Sequence, residues 1–255
     1  MEIKVKKSLG QNFLTDKNII KSIVDIGFIT DNDVILEVGP GTGNLTEFIF
    51  KKNPKQIYAV EKDYNLVNFL NEKFEGKIKI INEDILNFKI NNISNEKFII
   101  YGNLPYNIST QILTQWIVDQ QQFSSIKKLI LMFQKEVAER ISSTTGKKRG
   151  ILSVLIQVFY KVEYCLTISE NSFNPPPKVK SAVIKLTRNR RRKLDCNEKL
   201  FKQIIKSAYN QRRKTLRNAL KSFNLKMNDE INHLLTLRAE KLSVEDFIKI
   251  TKSVC

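Results

Sequence analysis

The chain has 255 residues, 42% of them hydrophobic, with 43 Lys and Arg against 26 Asp and Glu, a net charge of +17 and one His. That is enough for one full α/β domain with a sizeable core, plus a small appendage. A single His233 and three scattered cysteines (Cys165, Cys196, Cys255) argue against a metal centre, a disulfide framework and His-assisted nucleophilic catalysis, and fit a reducing cytoplasm.

DKNIIKSIVDIG (16–27) reads as a short helix, capped by Thr15 or Asp16 and stopped by Gly27. Alternating units follow. VILEV (34–38) is a buried strand, followed by a glycine turn and the helix NLTEFIFKK. IYAVE (57–61) is a second strand, with the helix DYNLVNFLNEKF behind it. KIKII (77–81) is a third, ending near Asp84. FIIYG (98–102) is a fourth, with the helix NISTQILTQWIVDQ (107–120) after it. KKLILMF (127–133) is a fifth, followed by the helix QKEVAERIS. Such alternation implies right-handed crossovers and a mostly parallel, doubly wound α/β sheet. Ligands of such sheets sit beyond the carboxyl ends of the strands.

Residues 150–187 add an apolar helix, ILSVLIQVFY, and two strands, KVEYCLTI and SAVIKLT, with the turn FNPPPKV between them. From Arg188 the composition shifts. RNRRRKLD is a basic linker, and the remainder reads as four short helices without a strand. A boundary is expected there, giving an α/β domain over 1–187 and a small all-helical domain over 188–255. No run reaches the roughly 18 apolar residues of a membrane-spanning helix, and the first residues lack the apolar core of a signal peptide.

A basic balance of this size points to a polyanionic partner, nucleic acid first. Its distribution says more than its total, because 33 Lys against 10 Arg, with abundant Asn and Ile, also follows from an AT-rich genome. Between Arg188 and Lys221 there are 13 basic residues and two acidic ones, and seven of the ten arginines fall in that window. Clustered arginine favours phosphate, because its fork pairs with two oxygens at once. Arg212, Arg213, Lys214 and Arg217 are therefore candidate RNA contacts.

ILEVGPGTG (35–43) is a strand running into a G-x-G-x-G turn, in which Gly39, Gly41 and Gly43 permit a close backbone approach to a nucleotide-like ligand. There is no GK[ST], so this is not a P-loop. The second strand ends in Glu61, placed to accept hydrogen bonds from both ribose hydroxyls. The third leads to Asp84, placed to meet an adenine amine. Together these suit NAD or S-adenosylmethionine.

The fourth strand decides between them. It ends in Asn103-Leu104-Pro105-Tyr106. The exocyclic amine of adenine is a poor nucleophile because its lone pair is delocalised into the ring. Acceptors from the Asn103 amide and the Leu104 carbonyl would hold both amine hydrogens and localise that lone pair for attack on a sulfonium methyl. Pro105 fixes the backbone that aims them, and Tyr106 offers a stacking face. Positioning and preorganised dipoles suffice for such a transfer. The reading is a Rossmann-like methyltransferase domain using S-adenosylmethionine, without a metal.

KKSLGQNFLTD, ILEVGPGTG, VEKD, NEDIL, YGNLPYNIST, QKEVAERI, FNPPPKVKSAVIKL and NQRRKTLRNAL together resemble the ribosomal RNA adenine dimethyltransferases, specifically the small-subunit, kasugamycin-resistance branch. The resemblance covers nearly the whole chain. It implies that Asn12 and Leu14 contact the cofactor beside Gly39, Glu61, Asp84 and Asn103. It also implies that Phe173 stacks on the target adenine opposite Tyr106, where the residues alone suggest a core aromatic. The implied activity is dimethylation of two adjacent adenosines near the 3′ end of small-subunit ribosomal RNA, within an immature subunit, by a cytoplasmic monomer. Two rivals stay open: a large-subunit enzyme conferring macrolide resistance, and a non-catalytic RNA- or DNA-binding factor on the same fold.

Overall fold

The computed structural model describes residues 6, 10–118, 124–189, 191 and 193–255. The end of the predicted fourth helix (Asp119, Gln120) and Arg190 and Arg192 of the basic linker lie outside the described residues. The chain divides into two compact units, Met1–Ala138 with Glu163–Arg188, and Glu139–Val162 with Asn189–Cys255.

The first unit is built on a seven-stranded sheet. In chain order its early elements are β1 (Phe13–Leu14), α1 (Lys17–Ile26), β2 (Val34–Val38), α2 (Asn44–Phe50), β3 (Gln56–Glu61), α3 (Tyr64–Phe74), β4 (Lys79–Asn82), β5 (Phe98–Asn103), α4 (Ser109–Val118) and β6 (Ile126–Gln134). Then come α5 (Lys135–Ser142), α6 (Ile151–Gln157), β7 (Tyr160–Ile168), β8 (Phe173–Asn174) and β9 (Ser181–Arg188). The large sheet has the order β4-β3-β2-β5-β6-β9-β7. Its first five strands run parallel, and β9 lies antiparallel to β6. All five residues of β2 are buried, as expected of a strand covered on both faces. The chain moves outward from β2 through β3 to β4, then returns to β5 on the other side of β2. That reversal opens a crevice at the carboxyl ends of β2 and β5.

Local chemistry accounts for the element ends. Asp16, not Thr15, caps α1, its carboxylate accepting from the Asn18 and Ile19 amides. Asp63 caps α3 in the same way through the Asn65 amide. The third strand begins two residues later than the sequence predicts, at Lys79. A second, two-stranded sheet was not expected. β1 pairs antiparallel with β8, in the register Phe13↔Asn174 and Leu14↔Phe173.

The second unit has its own apolar core. The helices α7 (Glu198–Asn210), α8 (Leu216–Ala219), α9 (Asp229–Thr236) and α10 (Val244–Lys252) match the four expected. The boundary differs from the expected 188 in one respect, because Glu139–Val162 also joins this unit. The reason is packing. Val154 and Val158, in and just after α6, are buried in one cluster with Phe201, Ile204, Ile205 and Phe247. An apolar helix takes the partner that buries its face, wherever that partner lies in the chain. Among the described residues no helix is long and apolar enough to cross a membrane.

Candidate active site

A single cavity at the carboxyl ends of the parallel strands is lined by Asn12, Leu14, Gly39, Gly41, Glu61, Asp84, Asn103, Leu104, Pro105 and Tyr106. These residues span 95 positions of sequence, and the strand ends bring them together.

The glycine turn shapes one wall. Gly39 has φ +66°, and a Cβ there would point at the Asn103 carbonyl, 3.9 Å away, across space the cavity keeps open. A Cβ at Gly41 would come within 2.8 Å of the Phe13 ring, so that glycine lets β1 lie against the turn. Glu61 is almost buried, and its two carboxylate oxygens accept from the Gly41 amide (3.2 Å) and the Asp63 amide (2.9 Å). Burial raises its pKa, and those amides oppose the rise. Each oxygen keeps a lone pair for a further donor. Asp84 accepts from Lys62 Nζ (2.8 Å) and from the Leu86 amide (3.0 Å), and the Lys62 bond holds its pKa below the usual carboxylate range.

The QNFL segment is pinned from several sides. Asn44 Nδ2 donates to the Leu14 carbonyl (2.8 Å), and the Thr15 amide donates to the Ser172 carbonyl (2.9 Å). Gln11 and Lys6 both reach Asp63, the cap of α3. Asn103 Nδ2 donates to the Asn12 carbonyl at 2.9 Å. That bond decides which way the amide faces: Nδ2 is used, and Oδ1 is left as an acceptor. Tyr106, half-buried, is held through its hydroxyl by Ser181 Oγ on β9. Burial raises the Tyr106 pKa, keeping the phenol neutral.

Phe173 is placed differently from the expectation. It is not among the cavity-lining residues. It is 4% exposed and packs in the core with Leu14, Ile168 and Val183. A ring covered in this way anchors β1. The basic cluster also divides. Arg212 donates to the Lys147 and Arg149 carbonyls, lies over the Tyr209 ring at 5.9 Å and sits 3.7 Å from Glu240. It organises its own unit. Arg217 donates to Asn232 Oδ1 at 3.3 Å. Arg213 and Lys214 are exposed, and their side chains carry no hydrogen bond or ion pair among the described residues.

Sequence reasoning missed Phe13, Asn44 and Glu37. Glu37 had a legible signal, a charged residue inside a run of buried apolar ones. Phe13 and Asn44 had none, because their importance lies in the partner each meets.

Residues 2–254 match the family described as ribosomal RNA adenine dimethylase. The chain belongs to that family. It is 47% identical to the ribosomal RNA small subunit methyltransferase A of Flavobacterium johnsoniae, over 99% of this chain and 97% of the relative. It is 48% identical to the protein of the same name from Phocaeicola vulgatus, over 99% of this chain and 90% of that one. Among solved structures, a dimethyladenosine transferase from Plasmodium falciparum shares the fold, with a TM-score of 0.80 at 24% identity over 93% of this chain and 95% of that one. The enzyme is thus an S-adenosylmethionine-dependent adenine dimethyltransferase. The cavity fits that cofactor: the glycine wall leaves room for it, and Glu61 keeps acceptor capacity for hydroxyls. The cofactor supplies an electrophilic methyl group on a sulfonium. The chain must bind it and aim an amine at it.

Proposed function

We propose that this enzyme dimethylates the 6-amino groups of two adjacent adenosines near the 3′ end of small-subunit ribosomal RNA, acting as a cytoplasmic monomer on an immature small subunit. The observation that carries the reading is the bond from Asn103 Nδ2 to the Asn12 carbonyl. It leaves Oδ1 to accept one hydrogen of the target amine, and the Leu104 carbonyl takes the other. With both hydrogens held, the nitrogen lone pair leaves conjugation and points at the methyl group. Pro105 keeps the two acceptors at a fixed separation. Asn12, Leu14 and Gly39 line the space for the methionyl part, Glu61 takes the ribose hydroxyls, and Asp84 takes the adenine amine of the cofactor. Tyr106 stacks on the target base. Phe173 meets its other face once the base uncovers the ring. Each transfer replaces one N–H by N–CH3, and the displaced proton leaves to solvent.

Arg213, Lys214 and Arg217 supply phosphate contacts from the helical unit, with Arg212 holding the turn that presents them. The names of the 47% and 48% identical relatives support the small subunit as the substrate. The test is to incubate unmodified small subunits with labelled S-adenosylmethionine and map the modified bases. Two adjacent N6,N6-dimethyladenosines near the 3′ end are expected. Modification confined to large-subunit RNA would overturn the assignment.

A further inference from the structure

Met132 on β6 and Val183 on β9 line one apolar corner of the cavity. Asn103, Met132 and Val183 stand in a row across three adjacent strands: Met132 is the register partner of Asn103, and Val183 is the register partner of Met132. Residues paired in this way project from the same face of a sheet. Ser181 lies on that face of β9 too, and its Oγ holds the Tyr106 hydroxyl. A base that meets Asn103 with its amine and Tyr106 with its ring therefore reaches from the end of β5 toward β9. Between those strands lies β6, with Met132 at the crossing. Met132 is 3% exposed and Val183 1%, so each shows the cavity only a small apolar surface.

We propose that Met132 and Val183 form a subsite for the N6-methyl group of the once-methylated adenosine, and that this subsite is what lets the enzyme proceed to the second transfer. The inference rests on the reading that Asn103 and the Leu104 carbonyl hold the target amine. In each transfer the S–CH3 bond breaks with its electron pair staying on sulfur, the nitrogen lone pair forms the new N–CH3 bond, and one N–H proton leaves to solvent. The unmodified amine offers two hydrogens to two acceptors. After the first transfer it offers one hydrogen and one methyl group. That methyl group lies on the line toward sulfur, along which the next cofactor must bring its own. It has to swing out of line and take the place of a hydrogen. Turned toward an oxygen it forfeits a hydrogen bond, whereas against a thioether and an isopropyl group it gains apolar contact. The row of side chains puts the apolar pair on the Asn103 side. The Leu104 carbonyl therefore keeps the remaining N–H, and the first methyl group occupies the corner made by Met132 and Val183.

The experiment uses the whole enzyme, unmodified small subunits and S-adenosylmethionine, with mass spectrometry of digested RNA following N6-methyladenosine and N6,N6-dimethyladenosine over time. The readout is the ratio of the second transfer rate to the first. Both side chains also pack in the core with Leu14 and Phe173, and a loss of packing alone would slow both transfers and leave that ratio where it was. Val183→Ile adds one methylene to the corner. It should lower the ratio by roughly ten- to a hundredfold, the discrimination of an apolar pocket against one extra methylene, so that N6-methyladenosine accumulates. Val183→Thr keeps the shape and exchanges a methyl group for a hydroxyl. It should lower the ratio by roughly fourfold, the transfer free energy of about one methylene expressed as a rate, and it carries the test where isoleucine prevents folding. Melting temperatures establish which variants are folded. A ratio equal to the parent's in a folded variant would overturn the methyl subsite alone. Near-normal first transfer by folded Asn103→Ala would instead overturn the reading of the amine site beneath it.

Discussion

In the proposed reaction Asn103 carries the transfer through one amide. Its Nδ2 is held by the Asn12 carbonyl, so its orientation is set before any base arrives. Preorganised groups of this kind act without reorganisation in the transition state. Asn103→Ala should lower turnover by roughly a hundred- to a thousandfold, the usual loss for one such group. The melting temperature should change little, because one part-buried hydrogen bond is removed. Near-normal turnover by the folded variant would remove Asn103 from the chemistry. Glu37 gives the ligand-free protein a pH dependence. Its folded-state pKa is raised from 4.5 to about 7, so its contribution to stability is full below 4.5 and is lost as pH rises through about 7. Glu37→Gln has no such loss. Above that range the ligand-free variant should be more stable than the parent by roughly 1–3 kcal/mol, the gap closing as pH falls. Urea unfolding across that pH range checks it, and a gap that does not change with pH would contradict the linkage.

At the scale of elements, the pairing of β1 with β8 ties the QNFL segment to FNPPP. It joins residues about 160 apart, and the bond from Thr15 Oγ1 to the Ser172 carbonyl extends it. Through it the Asn12 carbonyl reaches Asn103, so a two-residue strand bears on the amide assigned to the proposed transfer. Phe173 stands in that pair. Phe173→Leu keeps most of the apolar anchor and removes the aromatic face, a change that should cost under about 1.5 kcal/mol of stability. If the ring also serves a base, turnover should fall roughly tenfold, in keeping with the worth of base–aromatic stacking. Unchanged turnover would confine Phe173 to the core. Arg212 belongs to this scale too. Its two bonds to carbonyls of the 143–149 turn join separate parts of the helical unit. Arg212→Ala should lower thermal stability by about 1–2 kcal/mol. Calorimetric unfolding measures it, and cofactor affinity should be preserved.

For the molecule as a whole, the +17 charge acts through where it is free. Arg191 pairs with Glu245, and Lys252 with Asp195, so part of the basic surface of the helical unit is neutralised internally. Exposed pairs of this kind add little stability, but they withdraw cations from the partner. Arg213 and Lys214 remain available. Reversing both to Glu should weaken binding to immature small subunits and reduce the dependence of log K on log salt by about one for each phosphate no longer neutralised. The melting temperature should hold, because neither side chain has a partner to lose among the described residues. A salt slope equal to that of the parent would show that this turn does not meet phosphate.

The primary structure alone specified the parallel sheet, because buried strand runs alternate with helical spacing and each signal is complete within a dozen residues. It also singled out Gly39, Glu61, Asp84 and Asn103, which line one cavity. In a parallel sheet all strand ends converge on one edge, so order along the chain becomes proximity in space. Only the tertiary structure decided the rest. It paired Leu14 with Phe173, moved Glu139–Val162 into the helical unit, tied Arg212 to the Lys147 and Arg149 carbonyls and buried Glu37 among apolar neighbours. Each of these depends on which distant surface excludes water from a side chain and which polar atoms that surface brings. Neither is encoded by a residue's neighbours in the chain. A carboxylate in a strand reads the same whether solvent, a lysine or a ligand will meet it, and packing chooses among them.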